Sequence, residues 1–125
     1  MPAMPSFAAT RHYLRLAFLL GAAFVAAPRE AKAAEFRCTV RDVMVFSNRI
    51  HVQCTTTTND GAATIRYFAV ATTDAKLADR LLTVGTTALV SGRRFVAGFT
   101  SGDTSGNAIG CNASDCRKLA YFGME

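Results

Sequence analysis

The sequence predicts a small, mainly β domain with one helix: an OB-type barrel of five antiparallel strands in the order β-β-β-α-β-β, carrying two disulfides. Three observations lead there. Short runs rich in β-branched and aromatic residues alternate with turn-forming segments. One amphipathic segment stands between the third and fourth of these runs, where a five-stranded OB barrel has its helix. Four cysteines follow what reads as an export signal.

The export signal is assigned to residues 1–33. Arg11, His12 and Arg15 form a basic start, and Leu16 to Ala27 is an apolar run of twelve residues. Ala31-Lys32-Ala33 puts small residues at the cleavage positions, so the cut is placed before Ala34. Twelve residues reach about 18 Å as a helix, short of the roughly 30 Å of a hydrocarbon core. Stable membrane insertion is therefore not expected. The style is bacterial, and the destination is the periplasm or the medium. Residues 34–125 then form a single OB-like domain.

Removing the signal alters the charge argument. Of the net +5, the segment 1–33 holds +3, through Arg11, Arg15, Arg29 and Lys32 against Glu30. Residues 34–125 keep +2, a weak basis for binding nucleic acid. Arg93-Arg94 beside Phe95 and Phe99 reads as a solvated charge pair at a strand start.

The strands follow in order. Phe36 to Phe46 is the first, with Cys38, Val40, Met44 and Phe46 on one parity. Ser47-Asn48-Arg49 turns the chain, and Ile50 to Cys54 returns. Asp60-Gly61 marks the next turn, and Thr64 to Ala71 is the third strand. Thr73-Asp74 caps a helix in which Leu77, Leu81, Val84 and Ala88 recur at helical spacing, and Gly92 stops it. Gly85, Thr86 and Thr87 weaken its middle, so packing must hold it; a strand over Thr86 to Val90 is the lesser alternative. Arg93 to Thr100 and Arg117 to Phe122 complete the strands.

Four cysteines allow three connectivities. Neighbourhood favours Cys38–Cys54 and Cys111–Cys116. A tight turn at Ser47–Asn48 would set Cys54 opposite Arg41 rather than Cys38, so a bulge, a wider loop or a crossing of non-adjacent strands has to restore the register.

Catalytic groups are sparse. His51 is the one histidine of residues 34–125 and reads as a packing or surface residue. No phosphate-binding glycine loop lies between a strand and the helix. The cysteines lack paired C-x₂-C knuckles, so neither a metal nor a cofactor is expected. Asn112-Ala113-Ser114 matches a glycosylation sequon, by chance in a bacterial export product. Arg66, Tyr67 and Tyr121 are the candidate ligand-binding residues, since aromatic faces with polar rims suit sugars.

The run Asn107 to Cys116 resembles the tail of B subunits in the subtilase-cytotoxin and typhoid-toxin branch of the pertussis-like AB5 toxins. There an Asn-Ala-apolar stretch and a Gly precede two Cys that enclose a short polar loop. An earlier Cys pair spanning a strand-turn-strand unit, and a helix ending in Ser/Thr-Gly before a Val-bearing strand, match Cys38, Cys54 and Ser91 to Val96 in order. The resemblance implies an OB barrel, a homopentamer with helices toward a central pore, an enzymatic A subunit as partner, and glycan binding on host cells. On that reading Leu77, Leu81, Val84 and Ala88 form an oligomer interface. The segment before the first Cys is shortened to Ala34-Glu35-Phe36-Arg37, so no glycan-contact residue carries over. A monomeric periplasmic or secreted module that binds or inhibits another protein is the alternative, and a small hydrolase the third reading.

Overall fold

The computed structural model describes residues 32–125. The signal assigned to 1–33 lies outside the described residues except at its end. There Ala33 already belongs to the first strand, opposite Thr100, and the Lys32 carbonyl accepts a hydrogen bond from Ser101 N–H at 2.8 Å. Cleavage before Ala34 would remove that last rung.

The described elements are β1 (Ala33–Cys38), β2 (Val40–Val45), β3 (Arg49–Asn59), β4 (Thr64–Ala71), the helix α1 (Ala75–Ser91), β5 (Phe95–Thr100), a 3₁₀ turn (Ser105–Ile109) and β6 (Cys116–Met124). The strands form one curled sheet in the order β1-β5-β6-β4-β3-β2. Its two outermost strands, β1 and β2, are consecutive in the chain and separated only by Thr39. Counted as one bent strand, they give the OB-type order: the first strand borders both the second and the fourth, and the third and fifth run parallel. The expected five strands are therefore six, because the first is broken. The predicted Thr64–Ala71 strand is β4.

The break has a local cause. A bulge at Arg41 lies between the Val40↔Cys54 and Asp42↔Gln53 pairs. From Asp42 to Val45 the register is the one a tight turn dictates, and the extra residue moves Cys54 off Arg41 and onto Val40. Thr55 N–H then donates to Thr39 O at 2.9 Å, and the kink swings Cys38 within bonding reach of Cys54, at 5.6 Å between Cα atoms. The bulge also reverses the inward parity. Cys38 and Val40 are buried, but Val43 packs on the core while Met44 is 42% exposed, contrary to the alternation expected through Met44 and Phe46.

Phe68, Phe95, Ile65, Leu81 and Val52 make the sealed centre, with Phe68 5.2 Å from Phe99 between ring centroids. The helix closes one end of it. Asp74 caps it by accepting Leu77 N–H, and Gly92 ends it in a left-handed conformation with its N–H on Ala88 O. Thr86 to Val90 is helical. The Thr83, Thr87 and Ser91 hydroxyls each donate to the carbonyl four residues earlier, which satisfies groups that would compete with the helix elsewhere. Gly85 is the point of closest approach: a Cβ there would stand 3.0 Å from Val52 Cγ2 and 3.3 Å from Val43 Cγ2.

Leu81 and Ala88 have no solvent exposure, and Leu77 and Val84 pack against the core. The stripe nominated as an oligomer interface is thus the helix's core-facing side. The physical reason is plain: a 17-residue helix has one broad apolar face, and the chain's own sheet takes it. The large apolar residues α1 leaves outward are Leu82, Leu89 and Val90.

Candidate functional site

Arg49 and His51 fall on one parity of β3, and Tyr67 lies diagonally across on β4, where His51 pairs with Ala69 and Gln53 with Tyr67. Their side chains form a column. The Arg49 guanidinium carbon lies 3.8 Å from the centre of the Phe46 ring. Phe46 meets His51 edge-on at 5.0 Å, and His51 meets Tyr67 at 5.0 Å.

The connection from β5 to β6 covers this column. Gly110, at a φ of 81°, passes so close to Arg49 that a Cβ there would come 2.6 Å from Nη1. Arg49 Nη1 donates to Ile109 O at 3.2 Å. The Cys111–Cys116 disulfide closes the next six residues into a tight loop, with Cα atoms 5.2 Å apart. Asn112 Oδ1 accepts Ser114 N–H within the loop, and Asn107 Oδ1 of the 3₁₀ turn accepts Ala113 N–H, so the loop is braced from within and from the preceding turn. Its outer end is fastened to β4: the Asp115 carbonyl accepts both Arg66 N–H at 2.9 Å and Tyr67 N–H at 3.1 Å.

Two cavities open between the strands and this loop. One, of about 130 Å³, is lined by Arg49, His51, Tyr67, Asn112 and Asp115. The other, of about 230 Å³, is lined by Thr57, Thr64, Arg66, Tyr67 and Asp115. Tyr67 and Asp115 belong to both, so the pair reads as one cleft with a shared central wall. The second half exists because the β3–β4 ladder is irregular between Gln53 and Thr58.

The electrostatics of the first half are distinctive. Burial pushes the His51 pKa below the usual imidazole value, and the Arg49 charge pushes it the same way, against Asp42 and Asp115. His51 Nε2 and Arg49 Nε are both buried and without a hydrogen-bond partner. Sealed polar nitrogens without partners cost stability, and both belong to side chains held against the Phe46 ring.

Of the candidates read from sequence, Arg66 and Tyr67 line the cleft. Tyr121 does not: it lies over Gly98 of β5 and donates its hydroxyl to Glu35 of β1. His51, read as a packing or surface residue, is packed between Phe46 and Tyr67 and belongs to the lining of the first cavity. Arg49, Asn112 and Asp115 were missed, having been read as turn and loop. The OB order itself held the clue, since that fold takes ligands on its second and third strands beneath the connection between the fourth and fifth.

No family model matches the chain, and no curated protein or solved structure matches it. Both cysteine pairs are oxidised, which suits an oxidising compartment outside the cytoplasm. Among the described residues no helix is long and apolar enough to cross a membrane.

Proposed function

We propose that this protein is an exported, non-enzymatic binding module that recognises glycans on a surface, in the manner of a toxin B subunit. The single observation carrying this reading is the cleft beneath the Cys111–Cys116 loop. It lies on the β3–β4 face, where OB folds hold oligosaccharides, and offers the Tyr67 ring as an apolar wall between polar rims. Sugars bind such walls through their C–H faces, and their hydroxyls meet groups such as Asp115, Arg66 and Thr57. The order of cysteines, helix and cysteine loop that resembles the pertussis-like AB5 B subunits supports the same reading. A glycan array with the oxidised protein tests it. A defined set of glycans is retained by the wild type and lost by Tyr67→Ala; retention by neither sinks the reading.

Assembly as a homopentamer with an enzymatic partner extends this proposal. Sedimentation at micromolar concentration tests it, and a clean monomer removes it. One observation favours the second reading, a monomeric module that binds or inhibits another protein: the apolar side of α1 is already covered by its own sheet.

A further inference from the structure

We infer that the outer face of β1, β5 and β6 carries a second glycan-contact surface, on which the Tyr121 ring stacks against the apolar face of a neutral pyranose. This surface shares no residue with the cleft and goes beyond the reading drawn from it.

Strand register builds the surface. Glu35, Gly98 and Tyr121 form one row across the three strands, and Arg37, Val96 and Gly123 form the next row on the same face. Gly98 has no side chain, so the Tyr121 ring lies flat over it and reaches Glu35, whose Oε2 accepts the hydroxyl's hydrogen bond. Arg37 crosses β5 in the other direction. Its Nη2 meets Glu35 Oε1 at 2.6 Å, and its Nε donates to Glu125 Oε1 at 2.7 Å. The two oxygens of Glu35 thus hold one ring and one guanidinium in place.

Shielding a strand glycine occupies one face of the ring. Tyr121 is still 48% exposed, so its second face is open to solvent. Beside it Gly123 leaves the floor clear, since a Cβ there would meet nothing within 4 Å. A ring fixed at its hydroxyl, with one free face and an unobstructed edge, gives up little freedom when a ligand lies on it. The rim selects that ligand. Arg37 Nη1 and Glu125 Oε2 are not used by the network, and a donor beside an acceptor suits the hydroxyls around a sugar ring. Glu35 and Glu125 are offset by Arg37 and by Arg93, whose Nε donates to the Glu125 carbonyl at 3.0 Å. These four charges balance, so the phosphates of a nucleic acid and the carboxylate of an acidic sugar meet no net pull there.

The test follows the Tyr121 ring and the Val96 and Gly98 amides of the oxidised protein by nuclear magnetic resonance. The probes are methyl β-D-glucopyranoside, methyl β-D-galactopyranoside and adenosine, each at millimolar concentration. At least one pyranoside is expected to shift all three signals and to have its own C–H protons moved upfield by the ring. Tyr121→Ala should weaken its binding about tenfold, and Tyr121→Phe, which keeps the ring, should weaken it by less. Should Tyr121→Ala unfold, the wild-type shifts decide alone. The surface is overturned if neither pyranoside moves the Tyr121 ring, if adenosine alone does so, or if folded Tyr121→Ala binds as tightly as the wild type. Array signals lost by Tyr67→Ala would in that event leave the cleft reading standing. Tyr121 shifts beside an array without signal would instead remove the cleft reading and leave this surface.

Discussion

Arg117 Nε donates to Asp60 Oδ2 at 2.7 Å, with the two side chains 1% and 0% exposed. The pair ties three segments together. Asp60 also accepts N–H groups from Ala62, Ala63 and Gly102, and Arg117 donates through Nη1 to the carbonyls of Ala113 and Cys116. The β3–β4 turn, the β5 exit and the cysteine loop thus share one buried ionic centre.

Breaking that centre on one side is expected to cost about 3–5 kcal/mol, because a sealed charge is left uncompensated. Arg117→Leu is the direct variant, and urea unfolding measures it. A cost below about 1 kcal/mol would show that water reaches Asp60.

The same pair sets the response to acid. Burial alone would raise the Asp60 pKa, but the Arg117 hydrogen bond and three backbone N–H groups outweigh it and hold the carboxyl well below the usual range. A carboxyl whose folded pKa is depressed adds stability above its unfolded pKa, about 4, and that stability drains away as pH falls toward the folded value. The melting temperature should fall steeply below about pH 4, and the slope should be shallower in Asp60→Asn. Equal slopes in the two proteins would assign acid sensitivity elsewhere.

The two disulfides should separate by function. Chain entropy gives about 3 kcal/mol for the loop between Cys38 and Cys54 and about 2 kcal/mol for the one between Cys111 and Cys116. Replacing Cys111 and Cys116 by Ser should cost the smaller amount yet abolish ligand binding, since Asn112 and Asp115 lose their frame. Replacing Cys38 and Cys54 should cost more and leave affinity unchanged in whatever fraction remains folded. Thermal melts and titrations on the same samples distinguish the two.

Gly98 should tolerate no side chain while Tyr121 is present. A Cβ at residue 98 would fall within the Tyr121 ring, which lies flat over the glycine between β5 and β6. Gly98→Ala is expected to destabilise by about 1–3 kcal/mol. Tyr121→Ala in the same chain should recover part of that loss, giving a non-additive cycle. Additive effects would show that the ring does not rest there.

Much of the fold was legible because its signals are local. Asp74 and Gly92 bound α1 through contacts within one turn, and the β-branched run Thr64–Ala71 is β4 from end to end. The cleft was half legible: Arg66 and Tyr67 were found through residue type, while Arg49 and His51 were passed over because nothing adjacent in the chain shows what lies above them. The buried Arg117–Asp60 pair was invisible for the same reason, with its members 57 residues apart.

The chain by itself determined the kinds of element and their order, and it favoured pairing each cysteine with its neighbour, since capping, alternation and turn chemistry act over a few residues. Only the tertiary structure decided the bulge at Arg41, the break at Thr39, the inward turn of the helix stripe and the meeting of Arg49, His51, Tyr67 and Asp115. Those depend on register between distant strands, where one residue of slip moves a side chain to the opposite face.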